Sequence, residues 1–212
     1  IAEMASWPAS QHLLEANHIL ALRAAQATGR PLLVRGEAGT GKSQLAHAAA
    51  FVTGRAFLPV VVGSDPIATD LHWKFDAIAR LADAQMAARH IDTALGDIAR
   101  ADLQVAHYVQ PGPLWWALDW AGALTQQQQC HHGATALPDT PENWTPQKGL
   151  VLLIDEIDKA EPDVPNGLLE ALANHAFNVP LLGMTVKQAK DCPPPLIIIT
   201  TNDERELPAA FL

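Results

Sequence analysis

A glycine-rich segment early in the chain has the residue types needed to bind phosphate groups. Residues 36–43 read GEAGTGKS, which fits the pattern GxxxxGK[ST]. The glycines allow successive backbone N–H groups to face one anion at the positive end of a following helix. Lys42 would reach the β- and γ-phosphates, and the Ser43 hydroxyl would be a magnesium ligand. The residues predicted to contact a nucleotide are Gly36, Glu37, Ala38, Gly39, Thr40, Gly41, Lys42, Ser43 and Gln44.

Two adjacent carboxylates follow an apolar run at residues 150–154. The run LVLLI is typical of a strand that is buried on both faces of a parallel sheet. At its end, Asp155 would hold the magnesium ion, and Glu156 would polarise an attacking water molecule. The structural alternative is a strand that runs into a solvated acidic turn containing Asp158 and Glu161. The combination with the glycine-rich segment favours the catalytic interpretation.

Asn202 follows a second apolar run, LIII at residues 196–199. Ligands of parallel sheets bind at the carboxyl ends of the strands, so Gly36, Asp155 and Asn202 should converge on one edge. Asn202 would then orient the water or sense the γ-phosphate. An asparagine after a strand is also a common turn former, which is the structural alternative for this position.

The elements that must position these residues alternate between helices and strands. Residues 12–27 have a helical apolar pattern, within a helical lead-in that we expect over residues 1–29. A strand at residues 32–34, the glycine-rich loop and a helix then follow in order. Residues 57–62 predict a second strand, and Pro59 favours an edge position or a late start for it.

The region from residue 65 to residue 147 is mostly helical by pattern. Its predicted parts are a stripe formed by Phe75, Ile78, Ala82 and Met86, a weaker pattern over residues 91–105, a break at residues 111–113, a helix over residues 114–124 and a loop over residues 126–146. The alternation of strands and helices along residues 1–212 predicts one α/β domain with a mostly parallel sheet.

Composition limits the classes of protein that this chain can belong to. Its 212 residues, 49% hydrophobic and 17% charged, can bury a full core. No apolar run approaches the roughly 18 residues of a membrane span, and residues 1–10 lack a signal-peptide pattern, so we expect a soluble cytoplasmic protein. The formal charge of −9 disfavours a nucleic-acid partner. Cys130 and Cys192 have neither disulfide-framework nor zinc-ribbon spacing.

Two other groups, the tryptophans of residues 115–120 and the segment 130–132, have no pattern that indicates a binding site. Trp115, Trp116 and Trp120 recur at near-helical spacing, which suits packing against the core or against a neighbouring subunit. A base-stacking platform would require a basic stripe, which does not accompany them. Residues 130–132 (CHH) lack a nearby fourth ligand for a metal ion.

Together, these motifs resemble the MoxR-like branch of the AAA+ ATPases, which is related to the dynein-type and McrB-type modules. The resemblance covers residues 30–212 and rests on RPLLVRG (30–36), GPLW (112–115), DEIDKA (155–160) and TTNDERELP (200–208). It implies a three-layer αβα P-loop NTPase core. It also implies that residues 36–43 are the Walker A motif, Asp155-Glu156 the Walker B pair, Asn202 sensor 1, residues 166–172 the helix after Walker B, and residues 177–186 the hairpin of the helix-2 insert.

The resemblance further implies a function. A protein of this branch would bind ATP and Mg²⁺, form a ring that we expect to be a hexamer, and couple hydrolysis to the remodelling or assembly of a protein partner. In AAA+ proteins an arginine finger, a fifth strand and a helical lid usually follow sensor 1, and we expect this core to stop before them. Arg205 follows Asn202 too closely to be that finger and is interpreted as an exposed charge. Hydrolysis would then be slow, because arginine fingers supply about 1,000-fold or more in related systems.

Three alternatives remain open from the sequence. A McrB-like DNA motor that prefers GTP keeps the fold, but the acidic balance weighs against it. A scaffold with structural ATP would not need Lys42 and Glu156 to be intact. A small-molecule kinase would not need the Asp155-Glu156 pair followed by a sensor asparagine.

Overall fold

The computed structural model describes residues 12–62, 70–88, 103–131, 137–160, 163–205 and 207, and for residues 163–166 it describes the backbone alone. Within these ranges the helices are α1 (Ala16–Thr28), α2 (Lys42–Thr53), α3 (Ala77–Ala88), α4 (Pro113–Leu118), α5 (Trp120–Gln129) and α6 (Asp163–Asn174). The strands are β1 (Leu32–Arg35), β2 (Ala56–Val61), β3 (Trp73–Phe75), β4 (Val109–Pro111), β5 (Leu150–Asp155), β6 (Ala176–Val179), β7 (Met184–Lys187) and β8 (Leu196–Thr201). The helical interpretations of residues 1–11 and 91–102 lie outside the described residues.

Four strands form a parallel sheet in the order β1-β8-β5-β2. The two inner strands, β5 and β8, are the continuous apolar runs of the sequence, and every residue of β8 is buried. Parallel strands need helical crossovers on their faces, which is why such runs lack a polar face. The predicted parallel sheet is therefore confirmed.

Helices cover both faces of this sheet. Along β5, Val151 and Leu153 pack into a cluster that contains alanines of α1 and α2. Leu152 and Ile154 point the other way, into a cluster that contains Leu114 of α4 and residues of α5 and α6. Because successive side chains of a strand point to opposite faces, one apolar strand joins both cores. The predicted three-layer αβα arrangement is confirmed.

β2 lies at an outer edge of the four-stranded sheet, as Pro59 suggested. The Ala56 N–H donates to the Gly149 carbonyl, and the Val62 N–H donates to the Asp155 carbonyl. The backbone N–H groups of the even-numbered residues of β2 therefore point toward β5. The nitrogen of Pro59 points toward the outer edge of the sheet, where no ladder hydrogen bond is lost. The strand begins at Ala56, so the prediction of an edge position was right and that of a late start was wrong.

The region of residues 65–147 differs from the sequence prediction in three ways. β3 and β4 pair antiparallel, so Phe75 lies in a strand instead of a helical stripe. The helix predicted over residues 114–124 is two helices, because Asp119 ends α4 and its side chain accepts a hydrogen bond from the Gly122 N–H at the start of α5. α5 continues to Gln129, so the loop predicted from residue 126 was wrong there. No helix among the described residues is long and apolar enough to cross a bilayer.

Replacing Gly112 with alanine is expected to destabilise the protein by about 1–3 kcal/mol, the usual effect of overpacking. Gly112 precedes α4, and its N–H donates to the His72 carbonyl at 2.9 Å. A Cβ atom at this position would lie 2.6 Å from the Asp70 carbonyl oxygen and 2.7 Å from the carbonyl carbons of Leu71 and His72. These are backbone atoms, so the segment before β3 would have to move. Urea unfolding followed by circular dichroism measures the change.

The matched control is Gly167→Ala in α6. No heavy atom lies within 4 Å of a Cβ built at Gly167. Alanine is preferred over glycine in a helix by up to about 1 kcal/mol, so this variant should be slightly more stable than the wild type. Equal changes in the two variants would mean that the close approach at Gly112 does not exist.

Candidate nucleotide-binding site

The glycine-rich segment forms a tight loop between β1 and α2. Gly39 and Gly41 have φ angles of 80° and 87°, in the left-handed region that glycine adopts without a steric penalty. The Thr40 hydroxyl donates to the Glu37 carbonyl at 2.8 Å, which closes the turn. α2 begins at Lys42, directly after the loop. The loop therefore lies at the positive end of a helix, where anions bind favourably.

The Lys42 ammonium group lies at the mouth of this loop. Its Nζ donates 2.8 Å hydrogen bonds to the carbonyl oxygens of Gly36 and Glu37 and to Oδ1 of Asn202. All three of these acceptors are neutral. A phosphate oxygen would be a stronger acceptor for the ammonium group, because it adds the attraction between opposite charges.

Ser43 and Asp155 form a second contact at the same edge of the sheet. The Ser43 hydroxyl lies 2.8 Å from both carboxylate oxygens of Asp155, and the Thr200 hydroxyl donates to Oδ1 of the same carboxylate. A hydroxyl and a carboxylate are hard oxygen donors, which fit a magnesium ion that keeps water and phosphate oxygens as its other ligands. The described residues contain no group of three or more His, Cys, Asp or Glu side chains that could hold a metal ion. This donor set fits a magnesium ion bound together with phosphate.

Glu156 has an unusual backbone conformation for a residue with a side chain. Its φ angle is 60°, and its N–H donates to the Thr200 hydroxyl at 3.0 Å. Left-handed backbone at such a residue costs of order 1–3 kcal/mol and is concentrated at functional sites. Oε1 of Glu156 accepts a hydrogen bond from Nδ2 of Asn202 at 3.2 Å, and Oε2 accepts one from Nζ of Lys159 at 2.8 Å.

These residues line one open cleft of about 310 Å³. Its lining consists of Ala38, Gly39, Gly41, Lys42, Ser43, Gln44, Asp155, Glu156 and Asn202. Of the nine residues predicted to contact a nucleotide, Gly36, Glu37 and Thr40 do not line it. Gly36 and Glu37 contribute carbonyl groups to Lys42, and Thr40 closes the turn. The ends of β1, β5 and β8 thus meet at a single cleft.

Asp158 is a site residue that the sequence interpretation missed. Its side chain is buried, with 3% of the residue surface exposed, so the solvated alternative was wrong for this residue. Its carboxylate accepts hydrogen bonds from the backbone N–H groups of Asn202 at 3.3 Å and Glu204 at 3.0 Å. Asp158 therefore ties the turn after β5 to the segment that carries Asn202. Glu161, the other member of the proposed acidic turn, lies outside the described residues.

Two opposing effects act on the pKa of Asp158. Burial raises the pKa, but hydrogen bonds from the backbone of Glu204 and Asn202 and from the Thr201 side chain outweigh burial and lower it below the ordinary aspartate value. A carboxyl with a lowered pKa stabilises the folded state at pH values above its unfolded pKa of about 3.9. The stabilisation is lost as the pH falls through the folded pKa.

Replacing Asp158 with asparagine is therefore expected to destabilise the protein most at neutral pH. The difference in unfolding free energy between wild type and variant should shrink as the pH falls from about 5 toward 3. Urea unfolding at several pH values measures it. Asp191→Asn, at an exposed carboxyl before β8, is the control and should show no such convergence. A difference for Asp158→Asn that is independent of pH would contradict the assignment.

The tryptophans, Arg205 and His131, which the sequence also suggested for a role, lie in the core or at the surface. Trp115 and Trp116 are buried, which confirms that they pack in the core. Trp120 packs edge to face against Trp116, with ring centroids 4.9 Å apart. Arg205 is exposed, as its interpretation as a surface charge requires. The His131 ring stacks on His107 with centroids 4.0 Å apart, and His132 lies outside the described residues.

The fold and the cleft define the class of protein. A parallel sheet in the order β1-β8-β5-β2, a glycine-rich loop after β1 and a carboxylate pair at the end of β5 form a P-loop NTPase core. The family model of the AAA domain, dynein-related subfamily, matches residues 31–212, and the chain belongs to this family.

Two further comparisons describe the chain's similarity to known proteins. No curated protein is significantly similar to it. Among solved structures, the chain is similar to a Cytophaga hutchinsonii protein described as a "putative ATPase", with 15% sequence identity and a TM-score of 0.46. The match covers 90% of this chain and 38% of that protein, so the chain spans well under half of its length.

Proposed function

We propose that this chain binds ATP with Mg²⁺ and hydrolyses it, as the nucleotide-binding module of a MoxR-like AAA+ protein. The observation that carries the proposal is the meeting of Lys42, Ser43, Asp155, Glu156 and Asn202 around one cleft at the carboxyl ends of three parallel strands. The match to an AAA domain supports the same proposal, because nucleotide binding is the common property of such domains.

Each of these side chains has a role that its contacts support. Lys42 would exchange its bond to Asn202 for bonds to the β- and γ-phosphates. Ser43 and Asp155 would turn from each other to hold Mg²⁺. When bound, the ion would supply positive charge against the charge that develops on the phosphate oxygens. Asn202 would then be free to orient the attacking water molecule.

Glu156 would act as the general base. The water oxygen forms a bond to the γ-phosphorus while the bond from that phosphorus to the β–γ bridging oxygen breaks, and ADP leaves. The water proton moves to a carboxylate oxygen of Glu156, which lies at the cleft beside Asn202. The carboxylate is held there because Thr200 fixes the backbone of Glu156 from the neighbouring strand β8.

The proposed module works in a ring, with six subunits as the expected number. AAA domains commonly assemble into rings, and sites shared between subunits make hydrolysis depend on the neighbour's position. We assign residues 177–186, which lie in the antiparallel hairpin of β6 and β7, to the inserted hairpin of this branch. The proposed output is the remodelling or assembly of a protein partner.

Calorimetric binding of ATP and GTP, with and without Mg²⁺, tests the proposal together with phosphate release at increasing protein concentration. Selective Mg²⁺-dependent ATP binding, with turnover per subunit that rises with concentration, is the expected result. A preference for GTP would favour the DNA-motor alternative. Binding without turnover at any concentration would favour the scaffold alternative, and absence of binding would refute the proposal.

A further inference from the structure

Both carboxylate oxygens of Glu156 accept hydrogen bonds from the protein. Oε1 accepts from the Asn202 amide and Oε2 from the Lys159 ammonium group, at 3.2 and 2.8 Å. A general base needs a carboxylate oxygen that faces the attacking water. In this arrangement, the base of the proposed reaction is held by two other side chains.

Binding of a nucleotide would affect the two contacts of Glu156 differently. Asn202 is bonded to Lys42 through Oδ1 and to Glu156 through Nδ2, so a phosphate that draws Lys42 away also changes the position of Asn202. Lys159 is absent from the residues that line the cleft. Binding of a nucleotide in the cleft would therefore leave the contact between Lys159 and Glu156 in place.

The surroundings of Lys159 favour the protonated form of its amino group. The hydrogen bond to Glu156 raises the pKa of Lys159 and outweighs the lowering effect of burial, and the nearby charges of Glu156, Glu204 and Asp158 act in the same direction. The two side chains of the ion pair are 40% and 30% exposed. Ion pairs with this exposure are weak, so the contact can open without unfolding the turn after β5.

We propose that Lys159 is a positioning residue that restrains Glu156 and thereby lowers the basal rate of hydrolysis. The inference rests on the proposed function, because it concerns the base of that reaction. The Lys159 ammonium group holds Oε2 toward a side chain that does not line the cleft, so the carboxylate cannot turn freely toward the attacking water. The carboxylate turns freely only while the ion pair is open, so the fraction of time for which the pair is closed lowers the rate.

The test compares Lys159→Met with the wild type. Methionine keeps much of the length of the side chain and removes the ammonium group. We expect kcat for ATP to rise about two- to five-fold, as the loss of one weak, partly exposed ion pair allows, while the Kd for Mg·ATP stays the same. Phosphate release and calorimetry measure the two quantities, and thermal unfolding verifies that each variant is folded.

Two controls accompany this variant. Lys159→Arg keeps the positive charge and should retain the wild-type kcat. Lys148→Met removes a lysine whose Nζ donates to the Asn143 carbonyl at 2.8 Å in the turn before β5, and it should leave kcat unchanged. A general effect of losing a surface lysine would appear in both methionine variants, whereas release of Glu156 would appear only in Lys159→Met.

The outcomes separate this inference from the proposed function. If the wild type binds Mg·ATP but Lys159→Met has the same or a lower kcat, the restraint is refuted and the proposed function stands. If both proteins bind Mg·ATP but neither shows turnover, the hydrolytic part of the proposed function fails, and the inference about its base is refuted with it. If the wild type does not bind Mg·ATP, the proposed function fails, and the restraint of its base fails with it.

Discussion

Replacing Lys42 with alanine should lower the affinity for Mg·ATP by roughly 10- to 100-fold, as loss of a hydrogen bond to a charged group implies. The ammonium group is held at the mouth of the loop by two carbonyls and the Asn202 amide oxygen, and phosphate oxygens would replace the last of these neutral acceptors. The cleft is open to solvent, so water can bond to these oxygens in the variant. Calorimetric titration of the folded variant with Mg·ATP measures the loss.

The control for this prediction is Lys148→Ala. Lys148 lies before β5, at the opposite end of that strand from Asp155, and its ammonium group donates to the Asn143 carbonyl. Its removal should leave the affinity for Mg·ATP unchanged. Wild-type affinity in Lys42→Ala would show that the loop does not bind phosphate in the proposed manner.

The parts of the fold that could be predicted from the sequence are those with a strong local signal. β5 and β8 are continuous apolar runs because both of their faces are covered by helices. The glycine-rich loop must lie between a strand and a helix for its N–H groups to converge. Pro59 indicated an edge strand because proline cannot donate to a sheet ladder.

The parts that could not be predicted depend on contacts between distant segments. β3 and β4 have three residues each, which is too short for a periodic pattern. Their position is fixed by backbone hydrogen bonds from Gly112 and Leu114 to the carbonyls of His72 and Leu71. No local propensity reports such bonds, so the segment was interpreted from its helical neighbours.

The same distinction applies to the candidate site. Spacing along the chain identified Lys42, Asp155, Glu156 and Asn202, but their contacts depend on strand order. β8 lies between β1 and β5, and this order places Asn202 between Lys42 and Glu156. It also brings the N–H groups of Asn202 and Glu204 to Asp158, whose burial could not be predicted from local pattern.

Replacing Glu156 with glutamine should leave Mg·ATP binding intact and lower kcat by about 100- to 10,000-fold, the usual contribution of a general base. Glutamine has nearly the same shape, and its amide oxygen can still accept the hydrogen bond from Asn202. It cannot accept the water proton at neutral pH. Phosphate release measures kcat, and calorimetry measures the affinity of the same preparation.

The comparison of this variant with Lys42→Ala assigns the two roles. Lys42 would contact the phosphates in the ground state, so its loss appears in Kd, whereas Glu156 would act on the water, so its loss appears in kcat. Glu170→Gln, at an exposed position of α6, is the matched control and should alter neither quantity. An equal loss of binding in Lys42→Ala and Glu156→Gln would contradict both assignments, because a base that acts only in the transition state does not contribute to ground-state affinity.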